Sequence, residues 1–555
     1  MLPVALLLFL SLPPQQKNPQ PVAPIPPAFV EGVVLSATTG DPLRKAWVSL
    51  RRAEGRGRSQ NAMTDASGRF TLKDIDPGRY MLSVDRNGFA SQMYGQREPT
   101  GPGTVLTLSP GQAIRDIEIR MTPAAAISGH VYDEDGDPVA YARVSALRYW
   151  YRNGQRELGP AGDAFTNDLG EFRIFGLSPG RYYFSAVFEH WNRPGIAGSA
   201  GPGGEGGGGA EMAYAPTYYP GASDLGRALP LDLHAGEDLP GFDITLLSTR
   251  AVRIRGRVMN LATGKGASHA MVALIPRGAN VRSFVFSAQG YVDDPEGDFE
   301  LRGVVPGAYT LVASVWEGQS SYQARVPVDV GAADIENLNV TVGPGVDIPG
   351  RLLWDDPAQS KETTPHVYLE PQEEGILYRG GMGEVKADGR FTLKNVSDGE
   401  YRVRLMDTPE ACFVKSARLG GDDVLQDGIS VSGGKIPGAL EMVLDCAGGT
   451  IDGVVLNDQQ QPVTGARVVL VPDVGRRGQT QLFKATTPDQ YGRFTIKGIA
   501  PGDYKLFAWE EVEYGAYEDA DFLKRYEDDG KAVSIAEGSR ESASLPLIPA
   551  DKTQR

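Results

Sequence analysis

Thr64-Asp65-Ala66-Ser67-Gly68-Arg69-Phe70-Thr71-Leu72-Lys73-Asp74-Ile75-Asp76-Pro77-Gly78-Arg79-Tyr80-Met81-Leu82-Ser83-Val84 is the stretch whose reading decides the fold. Asp65 and Ser67 bond local backbone and Gly68 accepts positive φ, so the opening residues make a turn. Phe70 and Leu72 then alternate with Arg69, Thr71 and Lys73, the two-residue period of a strand with one wet face. Pro77-Gly78 fits the central pair of a type II turn, and Tyr80, Leu82 and Val84 alternate on the far side. The segment therefore predicts a central hairpin.

Its skeleton is Gly, any residue, Phe, seven residues, Gly, any residue, Tyr, and the same spacing recurs without insertion. The copies are Gly68/Phe70/Gly78/Tyr80, Gly170/Phe172/Gly180/Tyr182, Gly297/Phe299/Gly307/Tyr309, Gly389/Phe391/Gly399/Tyr401 and Gly492/Phe494/Gly502/Tyr504. One small unit of about a hundred residues, repeated in tandem, accounts for this. Upstream of the first copy, Gly32-Val33-Val34, the polar Thr39-Gly40-Asp41-Pro42 and the alternating Ala46, Val48 and Leu50 predict a second hairpin. Downstream, Ile117, Ile119 and Met121 alternate on a closing strand, as do Phe242, Ile244 and Leu246 in the next unit. About seven short strands per unit, with Gly and Pro punctuation and hardly any helical periodicity, predict an all-β protein. The expected architecture is a tandem array of five antiparallel Greek-key β-sandwich units.

These motifs resemble the carboxypeptidase regulatory-like domain, a transthyretin-like sandwich grouped with starch-binding and other carbohydrate-binding folds. Gly32 to Val84, Gly129 to Ala186 and Gly453 to Ala508 carry the pattern best. The third copy has Glu296-Gly297 where Asp-x-x-Gly is usual, and in the fourth Ser397-Asp398-Gly399 replaces the Pro-Gly pair. The resemblance implies the fold. For function it implies little, because such domains accompany peptidases, outer-membrane receptors and surface proteins without performing their chemistry.

Read from the termini inward, the chain divides into a signal peptide over 1–20, a flexible leader over 21–28, and sandwiches over 29–122, 123–249, 250–344, 345–446 and 447–555. The apolar run from Met1 to Leu12 is too short to span a bilayer, which suits a signal-peptide core although no Lys or Arg precedes it. The expected location is extracytoplasmic, either secreted or in the cell envelope, with no later membrane-spanning segment. With 55 basic and 70 acidic residues the net charge is -15, which disfavours nucleic acid as a partner. The links between units are short, and five units of about 13 Å radius of gyration in a row would reach on the order of 150 Å, so an elongated string is expected.

Only Cys412 and Cys446 are present, both in the fourth unit. In an oxidising compartment a disulfide between them would contribute about 3 to 4 kcal/mol in the chain-entropy model; two reduced buried thiols are the alternative. His130, His190, His234, His269 and His366 are scattered and form no zinc-peptidase pattern. No nucleophile elbow, phosphate loop or dinucleotide fingerprint is present. The expectation is accordingly no catalytic residue, no metal site and no cofactor. Asp133-Glu134-Asp135-Gly136-Asp137 crowds carboxylates that suit calcium, but it sits where Asp and Gly are expected for turn geometry alone. The acidic stretch Glu518 to Asp529 carries Phe522 and Tyr526 at i,i+4, the spacing of a short helix pinned to the fifth sandwich.

The second unit holds the candidate ligand site. Tyr149, Trp150 and Tyr151 precede its central motif, and Trp191, Tyr214, Tyr218 and Tyr219 flank a Gly-rich insertion over Gly195 to Gly209. Flat aromatics on loops suit the apolar faces of sugar rings, while the alternative is that they fill the edges of a small core. A non-catalytic binding protein with a polysaccharide ligand is the leading expectation. The competing one is a spacer or adhesin that binds envelope proteins through strand edges, followed by an accessory subunit of a secreted peptidase or glycosidase.

Overall fold

The computed structural model describes residues 26–53, 59–98, 101–188, 212–277, 288–317, 320–355, 363–372, 381–436 and 438–553. The expected signal peptide, most of the leader, His190, Trp191 and the Gly195 to Gly209 insertion lie outside the described residues. Among the described residues the regular structure is nearly all strand, as the alternating pattern requires.

In the first repeat, β1 (Ala28–Ser36), β2 (Trp47–Arg52), β3 (Gln60–Met63), β4 (Arg69–Ile75), β5 (Gly78–Asp85), β6 (Gln92–Met93), β7 (Val105–Leu108) and β8 (Ala113–Met121) form two sheets. One has the order β4-β1-β8; the other joins β3, β2, β5 and β6, with β7 also on β5. Their inner faces share one core that includes Val34, Leu50, Phe70, Tyr80 and Ile119. The burial pattern of β1, inside at every second residue, shows why a sheet forms there.

Two expectations are corrected by this topology. The Gly-x-Phe strand β4 pairs with β1, whereas the Gly-x-Tyr strand β5 pairs with β2, so β4 and β5 belong to opposite sheets and make no hairpin. Likewise β1 and β2 lie in different sheets, so the predicted upstream hairpin is also a sheet-to-sheet crossing. The reason lies in the Pro-Gly step. Gly78, Gly180 and Gly502 have φ of 156°, 148° and 144°, far from the value near 80° of a type II turn, and this stretched step carries the chain across the sandwich. The same crossings leave one pair parallel: β1 runs parallel to β8, because the chain visits the second sheet before returning. The sandwich is therefore mixed at that pair rather than purely antiparallel.

The scheme recurs in the later repeats. The second contains β9 (Ala125–Tyr132), β10 (Ala142–Arg152), β11 (Gln155–Phe165), β12 (Glu171–Leu177), β13 (Gly180–Phe188), β14 (Met212–Ala215) and β15 (Thr217–Tyr218). β12 pairs with β9, while β13 pairs with β10. In the third, Asp298–Val304 pairs with Val252–Asn260, and in the fifth, Arg493–Ile499 pairs with Gly449–Leu456. Each repeat's motif tyrosine closes its crossing in the same way. The hydroxyls of Tyr80, Tyr182, Tyr309, Tyr401 and Tyr504 donate to the carbonyls of Asp76, Ser178, Val305, Ser397 and Ala500 at 2.7, 2.6, 2.8, 2.9 and 2.8 Å. The recurring Gly-x-Tyr is thus a fastener: the ring fills the core and its hydroxyl satisfies a carbonyl of the crossing.

The repeats do not touch only their sequence neighbours, and the elongated string is corrected on that point. On the edge strand β7, the Thr107 N–H donates to Gln490 Oε1 at 2.9 Å and Gln490 Nε2 donates to the Thr107 carbonyl at 2.8 Å. The first repeat is thereby held against the fifth, with an ion pair between Arg97 and Glu510 beside it. Among the described residues no helix is long and apolar enough to cross a membrane.

Candidate functional site

Strands β10 and β11 pair over ten positions, from Arg143 opposite Phe165 to Arg152 opposite Gln155. They are joined by Asn153-Gly154, whose φ values of 48° and 72° are those of a type I′ hairpin turn. That dipeptide is the signal of the true hairpin in this repeat. The hairpin tip docks on the fifth repeat, where a Cβ on Gly154 would stand 2.5 Å from the Glu518 carbonyl oxygen. Tyr151 packs edge-on to Phe522 at 6.4 Å and joins the apolar cluster around Trp509.

Between the β10 strand and the Glu513-Tyr514 loop lies a cleft of about 550 Å³, lined by Tyr149, Trp150, Tyr151, Tyr182 and Tyr514 among others. Tyr149 is fixed edge-on against Tyr183 at 5.7 Å and lies under the Arg156 guanidinium at 4.2 Å. Trp150 is 44 % exposed. Its indole is supported by Gly159, since a Cβ there would meet Trp150 Nε1 at 2.6 Å. Behind the Tyr514 ring, Arg467 stands over it at 5.8 Å. The wall also holds Arg148, Arg152, Glu157 and Glu513, so polar groups surround the aromatic faces. Burial raises the Glu513 carboxyl above its usual range, against the pull of Arg148 and Arg156. Tyr514 and Glu513 come from more than three hundred residues away and carry no local sequence signal.

The other described aromatics sit elsewhere. Tyr218 pairs with Ser185, which pairs with Ser145; Tyr149 is four residues further along β10, roughly 13 Å away at a strand's rise. Tyr219 stacks on Phe242 at 4.1 Å and packs against the second repeat's core. Tyr214 lies edge-on to Phe188 at 5.7 Å, and its hydroxyl donates to Asp133 Oδ2 at 3.4 Å. Burial, then the Asp133 charge, push its pKa up to about 12. The structure thus separates Tyr149, Trp150 and Tyr151 from Tyr214, Tyr218 and Tyr219, and the expectation of a single cluster is corrected. Tyr214 and Tyr219 fill the edge of a core, the bland alternative, while Tyr218 sits on the short strand β15 opposite Ser185.

The acidic turn at residues 133–137 is also committed internally. Asp133 Oδ1 accepts from the N–H groups of Asp135 and Asp137 at 3.0 and 2.8 Å, and Glu134 accepts from the Ser248 N–H and hydroxyl. The tightest acidic group among the described residues, Asp355, Asp445 and Glu537, has the Lys415 ammonium bonded to two of its members, at 3.1 Å from Asp355 and 2.8 Å from Asp445. His130 stands beside Asp243, His234 beside Glu237 and His366 beside Asp407, each in a separate place. Cys412 and Cys446 are joined by a disulfide where Phe413–Leu419 and Leu440–Asp445 pair. The stretch Glu518 to Asp529 contains the short helix Ala520–Lys524, capped by Asp519, which accepts from the Phe522 N–H at 2.7 Å. Phe522 and Tyr526 meet at 5.0 Å and are buried against Trp509.

Residues 30–122 match the model of the carboxypeptidase regulatory-like domain, the domain that the motifs of the first repeat resemble. No curated protein matches the chain. Among solved structures it is similar to the Bacillus anthracis TIE protein, at 12% identity over 57% of this chain and 51% of that one, with a TM-score of 0.15. It is also similar to a streptococcal ancillary pilin, at 11% identity, 57% and 98% coverage and a TM-score of 0.19. A third is GBS52, a minor pilin of Streptococcus agalactiae, at 13% identity, 40% and 95% coverage and a TM-score of 0.22. Scores of this size support no conclusion about role.

Proposed function

We propose that this chain is a non-catalytic, extracytoplasmic binding protein made of five sandwiches at the boundaries given above, and that it takes a polysaccharide in the cleft between β10 and the Glu513-Tyr514 loop. The observation that carries this reading is the half-exposed Trp150, flanked by Tyr149 and Tyr151 and ringed by arginine and carboxylate side chains. Such a surface offers rings to the apolar faces of sugars and donors and acceptors to their hydroxyls. Affinity electrophoresis of the full chain through gels containing soluble xylan, β-glucan or dextran tests it. Retardation by one of these, lost in Trp150→Ala, is the expected result; unretarded migration through all three opposes the sugar reading.

A spacer or adhesin role is the second reading, favoured by the eleven-residue strand β11, which lies at a sheet edge and so has backbone groups available for an incoming strand. Capture of an envelope protein that depends on β11 and not on Trp150 would favour it.

A further inference from the structure

A second cleft, of about 240 Å³, opens where the fourth repeat meets the fifth. The junction is well fastened. The Gly448 N–H donates to the Ala411 carbonyl at 3.2 Å, Lys497 pairs with Glu410 at 3.1 Å, and Phe413 packs into the fifth repeat's core. The disulfide at Cys412 ties down one wall. Leu405, Leu425, Met442 and Leu444 give the interior its apolar character.

Two nitrogen donors on the opposite wall do not suit that interior. Gln481 Nε2 is buried and has no hydrogen-bond partner. Lys484, on the edge strand Lys484–Thr486, is partly buried, and burial alone acts on its ammonium, holding it below the usual lysine range. No carboxylate among the described residues stands beside it. The remaining cation of the wall, Arg404, is already taken by Glu370 at 2.9 Å. Buried donors without acceptors are costly, and a lysine in this position normally has a partner. An acceptor that carries negative charge would answer both.

We propose that this cleft binds a medium-chain carboxylate, its head group accepting from Lys484 Nζ and Gln481 Nε2 and its alkyl chain lying along Leu405, Leu425, Met442 and Leu444. The size follows from the volume: at about 30 Å³ for a water-sized group, 240 Å³ holds about eight such groups, a chain of six to eight carbons. The site is separate from the proposed sugar cleft and does not depend on it.

Titration calorimetry of the full chain with octanoate, and in parallel with 1-octanol, tests the assignment. Octanoate should bind at least about tenfold more tightly than octanol, the gap expected of a charge-assisted head-group contact. Lys484→Met should close that gap while leaving octanol unchanged, and Leu425→Trp, which fills the apolar end, should weaken both. The proposal is overturned if the native protein takes up no octanoate at millimolar concentration, if octanol binds equally well, or if folded Lys484→Met keeps native affinity. The comparison of the two ligands on the native chain needs no variant to fold.

Discussion

Gly256 and Phe299 stand directly opposite each other on paired strands, and the Phe299 ring covers the glycine so closely that a Cβ there would lie 2.8 Å from its Cζ. The same pairing holds Gly32 opposite Phe70, Gly129 opposite Phe172, Gly350 opposite Phe391 and Gly453 opposite Phe494. On its other side Gly256 meets the carbonyl of Leu338, where the parallel closing strand approaches. In the third, fourth and fifth repeats the motif phenylalanine therefore covers a glycine of the first strand, a device known to rescue glycine within sheets, whereas at Gly32 and Gly129 the nearest atoms belong to Ile117 and Phe242 of the closing strand. Gly256→Ala should destabilise the third repeat by about 1 to 3 kcal/mol, the usual cost of overpacking. Calorimetry would record this as one lowered transition, and a substitution without effect would refute the packing account.

Tyr309 tests the fastener across the crossing. Its hydroxyl is bonded to the Val305 carbonyl at 2.8 Å, so Tyr309→Phe keeps the ring and removes only the bond. The expected loss is about 1 kcal/mol. Gly180→Val in the second repeat acts on the other half of the motif: at φ 148° a β-branched residue is forced into strain, at a cost of at least about 1 to 2 kcal/mol. Denaturant midpoints that stay at the native value for both would show that the crossings contribute nothing to stability.

The two groups of aromatics should respond differently to alanine. Trp150→Ala removes an exposed ring and should abolish polysaccharide retardation while leaving the melting temperature unchanged. Tyr219→Ala removes a ring stacked on Phe242 and should cost about 2 kcal/mol of stability, less than the roughly 3 to 5 kcal/mol of a fully buried aromatic because Tyr219 is only partly buried. If Tyr219→Ala abolished binding without loss of stability, the division between ligand site and core edge would be reversed.

How far the fold was legible follows from these residues. Alternation at Phe70 and Leu72, or at Tyr80 and Leu82, locates strands and their inner faces, because burial on one side imposes a period of two. It says nothing about which strand lies alongside, and Pro77-Gly78 is compatible with a hairpin or a crossing. That is why the strands were readable and their pairing was not. Trp150 and its neighbours stood out as aromatics, yet the cleft they share with Tyr514 depends on the docking of the second repeat on the fifth. Asn153-Gly154, a strong local hairpin signal, marks the tip that docks there. The division of the remaining aromatics required the Tyr219–Phe242 stack, which no spacing encodes.

Two carboxylates at the junction of the second, fourth and fifth repeats should respond oppositely to acid. Burial works to raise Glu370, but the hydrogen bonds and charges of Arg404 and Arg152 outweigh it and hold the group below its usual 4.5. Its ionised form therefore contributes stability that is present above pH 4.5 and lost as pH falls through the lowered value. Burial raises Glu518, with Arg404 and Arg402 opposing. Its ionised form costs stability at neutral pH, and the cost fades as pH falls through the raised value towards 4.5. Glu370→Gln should lower stability at pH 7 and Glu518→Gln should increase it, each by about 1 kcal/mol after allowance for solvent screening. Equal effects of the same sign, or a Glu370→Gln effect that does not begin to shrink as pH falls below 4.5, would oppose this assignment.

The contact between the first and fifth repeats makes the last prediction. Gln490 imitates a neighbouring strand by pairing with both backbone groups of Thr107, and Thr107 Oγ1 also reaches Asp489 Oδ2 at 3.3 Å. Nearby, Arg97 pairs with Glu510, a contact that salt screens. Native protein in solution should therefore have a maximum dimension well below the roughly 150 Å of five units in a row. Gln490→Ala combined with Arg97→Ala removes two of the contacts that hold the first repeat against the fifth, leaving the Val105 N–H bond to the Pro488 carbonyl and the Thr107 contact with Asp489, while the core of each repeat is left intact. X-ray scattering should then show a larger radius of gyration, and in the native protein moderate salt should produce part of the same change. A native profile already extended to about 150 Å, and unaltered by the double substitution, would mean that the first and fifth repeats do not meet in solution.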